Sequence, residues 1–285
     1  MHVTTTCNGS MLGLEVRERG IAFYLLLFNG KIMKSVWNGA IGFGLVNIPV
    51  KVYLATHDAE PPLHSLCKNG HRIVYKRWCP VENREVSWQE IKKGFQLSAD
   101  KFVVLEKEDL EKIKIPSTKR IEIKEFVDTS QLDPIYVERS YYVAPDKGGS
   151  HAYFLLLSAM GLLNKLAVGT LTMSEREHIV ALRPYQNSLL MHTLHYADEV
   201  VPVEDISELK NQEKPEKKEL ELAQLLIQKM SKEAIGIEQF KDTYVEALRE
   251  LIKAKAAGKE YEIKAEKEVK AAKSLIDSLT ESLKQ

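Results

Sequence analysis

Between Trp37 and Leu54 the apolar residues alternate, and the alternation changes parity in the middle of the run. Trp37, Ile41, Phe43 and Leu45 occupy odd positions, whereas Val46, Ile48, Val50, Val52 and Leu54 occupy even ones. Successive side chains of a strand face opposite sides, so one unbroken strand cannot keep both sets on the same face. The chain must therefore bulge or turn a sharp corner at Leu45–Val46. Gly39, Gly42 and Gly44 stand just ahead of the flip and read as corner glycines of a barrel, with backbone angles other residues avoid. Pro49 has no N–H to give to a ladder, which suits an edge or a corner.

Three glycines so close together could instead cradle a phosphate, but the residues that follow argue against it. Asn47 stands where a dinucleotide-binding fingerprint needs its third glycine, and Ile48-Pro49 cannot open the helix that must come next. No Lys-Ser/Thr pair follows, which removes a Walker-type loop.

Short strands dominate from Lys34 to about Asp205. Alternation is clear in 121–127 and 135–143, and 165–173, 178–183 and 188–194 follow at hairpin spacing. Helical stretches interrupt at Lys107–Lys114 and Ser150–Leu163. Many short strands with turn signals between them indicate a barrel or sandwich. Residues 207–219 (SELKNQEKPEKKE) form a charged, proline-containing linker, and beyond it the period becomes helical. The expected fold is mixed, mainly β: a β-barrel core over 34–205, with a helical arm over 220–258 and an amphipathic tail over 259–285. Residues 1–32 read as an extension added by an upstream start, ahead of a working domain that begins near Met33. Such short amphipathic helices must dock on something to bury their stripes.

Net charge decides nothing, because 40 Lys and Arg balance 40 Asp and Glu; only a local arrangement of charge can make a binding surface. Three cysteines, Cys7, Cys67 and Cys79, do not make a disulfide framework and favour a reducing compartment. The longest apolar run, Ile21–Phe28, falls far short of the ~20 residues of a membrane helix. It also lacks the flanks of a signal peptide. The expectation is a cytoplasmic protein.

Little in the sequence reads as catalytic. His192 and His195 lie three apart, which puts them on opposite faces of a strand, and no Ser or Cys sits in a nucleophile elbow. No cofactor is expected. His64, Cys67, His71 and Cys79 have the spacing of a zinc site, but Glu82 stands where a knuckle needs its second thiolate. Between Lys68 and Lys93 basic residues, among them Arg72, Lys76 and Arg77, are interleaved with Tyr75, Trp78 and Trp88. This is either a solvated hairpin face or a surface that tracks phosphates.

The stretch from Trp37 to Tyr53 resembles the opening of the prokaryotic Ku family, the DNA-end-binding proteins of non-homologous end joining. Four further stretches resemble that family in the same order: Asp128 with Asp133-Pro134-Ile135-Tyr136; Tyr141-Tyr142 with Ala144-Pro145-Asp146-Lys147-Gly148-Gly149; Arg176-Glu177-His178 with Val180-Ala181-Leu182-Arg183-Pro184; and Tyr196-Ala197-Asp198-Glu199-Val200. The resemblance spans about residues 34–257. It implies a β-barrel with a helical arm, forming a homodimeric ring that threads double-stranded DNA ends and needs no catalytic residue. Lys34, Lys51, Lys119, Arg176 and Arg183 then join Arg72, Lys76 and Arg77 as candidate phosphate contacts, with Lys51 foremost in its stretch. The resemblance also implies a multifunctional repair ligase as partner. Phe240, Tyr244, Leu248 and Leu251 would be its docking stripe, or else would pack on the dimer arm. The other reading is a barrel-plus-arm scaffold that binds RNA or a protein.

Overall fold

The structure is a computed structural model that describes residues 33–99, 101–210 and 214–260, together with Ser278, Leu279 and Ser282. The extension over 1–32 and most of the tail over 259–285 lie outside the described residues. The described chain groups into two compact units. One runs up to His57 and resumes at Lys92–Val200; the other combines Asp58–Ile91 with the chain from Val201 onward. The span expected as a single core, 34–205, is thus shared between them.

The first unit is built on a closed seven-stranded barrel. Its first hairpin is β1 (Trp37–Phe43) and β2 (Val46–Leu54). Here the parity flip finds its cause, and the expected bulge or corner is replaced by a two-residue hairpin. The strands pair Ile41 with Ile48, Gly39 with Val50 and Trp37 with Val52, so every facing pair couples an odd with an even position. Ile41 from the odd set and Ile48, Val50 and Val52 from the even set thereby reach the same interior. Gly44 takes the first turn position with φ +54°, where a tight hairpin favours glycine, and Leu45 stands fully in solvent. Gly42 does a different job from the one expected of it. A Cβ there would fall 1.6 Å from Arg120 Nε, so the missing side chain makes room for a guanidinium that donates to the Gly44 and Val46 carbonyls.

Between β2 and the rest of the barrel the chain forms the two-residue strands β3 (Trp78–Cys79) and β4 (Arg84–Glu85) in the second unit. It then returns to the first unit as a hairpin of β5 (Lys93–Ser98) and β6 (Lys101–Leu105), followed by α1 (Lys107–Lys112). The barrel resumes with β7 (Arg120–Asp128), β8 (Val137–Pro145), α2 (Ser150–Leu162), β9 (Lys165–Met173), β10 (Arg176–Tyr185) and β11 (Ser188–Leu194). Around the barrel the order is β1, β2, β8, β11, β10, β9, β7. All neighbours are antiparallel except β1 and β7, which close it in parallel with Ile41 beside Ile121. Strand β9 spans the expected 165–173, whereas β10 runs longer than its alternation suggested, because Ser174 and Glu175 both adopt positive φ and turn the chain in two residues. The stretch 135–143 starts later as a strand, since Pro134–Tyr136 forms a 3-10 turn capped by Asp133.

The interior is apolar: Ile41, Ile48, Val50, Val52, Ile121, Val143, Leu171, Val180, Leu182, Leu189 and Met191 are buried together. Helix α2 adds Tyr153, Leu156 and Met160 to this core. Tyr153 is the largest fully buried side chain, and its hydroxyl is used twice. It donates to the Val143 carbonyl on β8 and accepts from the Leu189 amide on β11 at 2.7 Å. One phenol thus ties the helix to two neighbouring strands.

The second unit carries α3 (Lys217–Met230) and α4 (Thr243–Ala256). Asp242 caps α4 by accepting from the Val245 amide at 3.0 Å. Within this unit Arg249 of α4 donates to the carbonyl of Ala59 at 3.0 Å. No helix among the described residues is long and apolar enough to cross a membrane.

Candidate nucleic-acid interface

In β2 the even side chains line the core, so the odd ones, Lys51 and Tyr53, face outward; β8, β11 and β10 follow by register. Tyr53 lies beside Tyr142 of β8, Tyr142 beside Leu190 of β11, and Leu190 beside Arg183 of β10. Lys51 and Arg183, read from separate stretches of sequence, therefore share one outer face of the barrel, with phenols between them. The Tyr142 and Tyr185 rings are 6.4 Å apart, and the Arg183 guanidinium carbon lies 5.4 Å from the Tyr185 ring centre. Sequence reasoning did not single out Tyr53, Tyr142 or Tyr185 as site residues. The signal was the strand register, which no local pattern contains.

The two basic residues of this face are held differently. Lys51 forms an ion pair with Asp146 at 2.9 Å, and Asp146 also accepts from the Lys147 amide at 2.7 Å. The hydrogen bond and charge of Asp146 raise the Lys51 pKa, while Lys51 and that amide lower the Asp146 pKa. Arg183 has no carboxylate partner among the described residues. Its Nε donates to Nε2 of His192 at 3.1 Å, and Nδ1 of His192 lies 2.9 Å from the Ser140 hydroxyl. His192 is only 6% exposed, and burial, then the charge of Arg183, lowers its pKa below 6.5.

The remaining candidates lie elsewhere. Lys34 is exposed ahead of β1, and Arg176 is exposed where β10 begins. Lys119 is exposed with φ +50° just before β7, and its carbonyl accepts from the Ala40 amide. Arg72, Lys76 and Arg77 belong to the second unit. There Lys76 pairs with Glu85 at 2.7 Å, Arg77 lies over the Trp88 ring at 4.0 Å, and Arg84 binds both Glu82 and Glu90. Arg72 is exposed and makes no ion pair among the described residues.

Of the four candidate zinc ligands the structure brings two into contact: the Cys67 thiol lies 3.7 Å from His71 Nδ1. Among the described residues no three His, Cys, Asp or Glu side chains converge on a metal-sized site. The candidate docking stripe is divided. Phe240 precedes α4, at the end of a 3-10 turn, and is 77% exposed; Tyr244 is 61% exposed. Leu248 and Leu251 are half-buried. Val245, which the stripe omitted, is the buried residue of the helix. Its place three residues before Leu248 was the available signal.

Comparison with known proteins agrees with this architecture. Residues 42–222, from the first hairpin into α3, match the family model described as the Ku70/Ku80 beta-barrel domain. A protein of Archaeoglobus fulgidus named "Non-homologous end joining protein Ku" is 45% identical over 252 residues, covering 88% of this chain and 98% of the relative. Proteins of the same name from Bacillus subtilis and Anaeromyxobacter sp. are each 36% identical, covering 82% and 88% of this chain and 76% and 85% of their own lengths. The barrel, its register and these likenesses along most of the sequence make the chain a member of the Ku family.

Proposed function

We propose that this protein is a non-catalytic homodimer that encircles double-stranded DNA ends without sequence preference and recruits a repair ligase in non-homologous end joining. The observation that carries the reading is the near-complete alignment with an archaeal relative named for that process. The outer face bearing Lys51, Arg183 and the three tyrosines supports it physically. Cations and phenol hydroxyls suit phosphate and sugar oxygens, which every sequence offers alike. Lys34, Lys119, Arg176, Arg72, Lys76 and Arg77 are further phosphate contacts in this reading. Phe240, Tyr244, Leu248 and Leu251 form the ligase-docking stripe. The protein then works in the cytoplasm, beside the nucleoid.

A closed ring admits DNA only through an end. Linear duplex is therefore expected to bind, and a closed circle of equal length to compete weakly. Affinity should fall by roughly 0.9 log units per log salt for each phosphate neutralised. Equal competition by the circle would remove the ring. RNA binding more tightly than linear DNA would favour the scaffold reading instead.

A further inference from the structure

Arg183 and His192 meet on the barrel's outer face in an arrangement that fixes where the protons are. A guanidinium Nε always carries hydrogen, so the 3.1 Å contact makes Nε2 of His192 the acceptor. The ring proton then sits on Nδ1 and donates to the Ser140 hydroxyl at 2.9 Å. The strand register builds this chain of contacts: His192 lies directly across from Ser140 on β8 and from Ala181 on β10. Arg183 stands two residues along β10 from Ala181, so it meets His192 on the diagonal across the two strands. Of the charged groups near the ring, Arg183 is the one that acts on it. The other titratable side chains of these strands on the outer face are Glu138 and Tyr142 of β8 and Glu177 and Tyr185 of β10. Burial of the imidazole also disfavours its cationic form.

We propose that His192 is a positioning residue, which Ser140 turns into the tautomer that holds Arg183 and so points the guanidinium's remaining N–H groups at a DNA phosphate. An arginine loses rotamer freedom when it binds. A neutral acceptor at Nε restrains the side chain before DNA arrives, without cancelling its charge as a carboxylate would. Lys51, held by Asp146, shows the contrasting arrangement on the same face.

This inference rests on the DNA reading, and the test separates the two. Linear-duplex affinity is measured for the full chain and for R183A, H192L, H192Q and the double variant R183A/H192L, with folding checked by thermal melting. R183A and H192L are each expected to weaken binding, about two- to tenfold, the net worth of one hydrogen bond. The double variant should be no weaker than R183A alone, because both changes remove the same contact. H192Q, whose amide oxygen can replace Nε2 as acceptor, should recover most of the loss. Full affinity in H192L, or losses that multiply in the double variant, would overturn the positioning role. If H192L fails to fold, H192Q against R183A still decides: a loss in H192Q as large as that in R183A would overturn it. If the native chain binds no duplex, the DNA reading fails by itself. The contact is then judged by the ring ¹⁵N shifts of His192, where a proton on Nε2 in the native protein would refute it.

Discussion

The barrel and the segment Asp58–Ile91 are made from similar residues and end in opposite conditions. In the barrel, aliphatic and aromatic side chains recur every second position and the register brings them to one interior. In 58–91, Leu63, Leu66, Val74, Tyr75, Trp78, Val81 and Trp88 are all exposed, and pairing is limited to one isolated bridge and two-residue strands. The segment orders itself by charge: Lys76 with Glu85, Arg84 with two glutamates, Arg77 over Trp88. Exposed ion pairs of this kind contribute little, because water screens them and two long side chains must be ordered to make each one. The lesson is that apolar content alone does not make a core; period and register do.

The sharpest way to break the comparison is to remove one large ring from each region. Tyr153→Ala should lower unfolding free energy by about 3–5 kcal/mol, as a buried aromatic truncation does. Trp88→Ala should shift it by less than about 1 kcal/mol, as a surface change does. Urea melts of both variants decide the matter, and equal effects would sink it. Tyr153→Phe sharpens the point. It keeps the ring and leaves the Leu189 amide without its acceptor, for an expected loss of about 1–3 kcal/mol.

A smaller effect concerns pH. His192 has a lowered pKa in the folded chain, so the unfolded chain binds the proton more readily. Its contribution to stability is complete above about pH 6.5, the ordinary histidine value, and declines as pH falls below it. The decline should not exceed about 1.4 kcal/mol per pH unit, and His192→Gln should flatten that part of the stability profile. An unchanged profile would contradict the neutral ring.

The smallest stability effect is expected from Asp146→Asn, which opens a solvent-screened ion pair and should leave the urea midpoint nearly unchanged. Under the proposed function the same change frees Lys51. Affinity for linear DNA should rise, and its salt slope steepen by up to about one. A weaker-binding D146N would show that Lys51 is useful only when held by Asp146.

Much of the barrel was legible because period two survives in the residues themselves. The parity flip after Leu45 marked the first hairpin, although it read as a bulge or corner until the Ile41–Ile48 pairing was visible. Gly42 was legible as a special position but not in its purpose, since Arg120, whose guanidinium it accommodates, is far away in sequence. Tyr153 gave no local sign of its two strand contacts for the same reason. The candidate interface was half legible. Lys51 and Arg183 could be picked out singly, but the face they share, and His192 and Ser140 behind Arg183, depend on which strands are neighbours. Val245 was overlooked because Tyr244 beside it completed a stripe that began before the helix did.

The parallel seam between β1 and β7 has a consequence for how this chain can vary. Everything from the end of β2 to Arg120 is an excursion whose two ends are pinned on either side of β1. Once such a loop is closed, doubling its length costs only about 0.6 kcal/mol of further entropy. The excursion can therefore grow, shrink or exchange its contents while the barrel hardly registers the change. Folding feels the opposite pressure, because that seam joins segments distant in sequence and is expected to zip late. A chain of this design can thus experiment freely with what it hangs between β2 and β7, provided its first strand waits for the seventh to arrive.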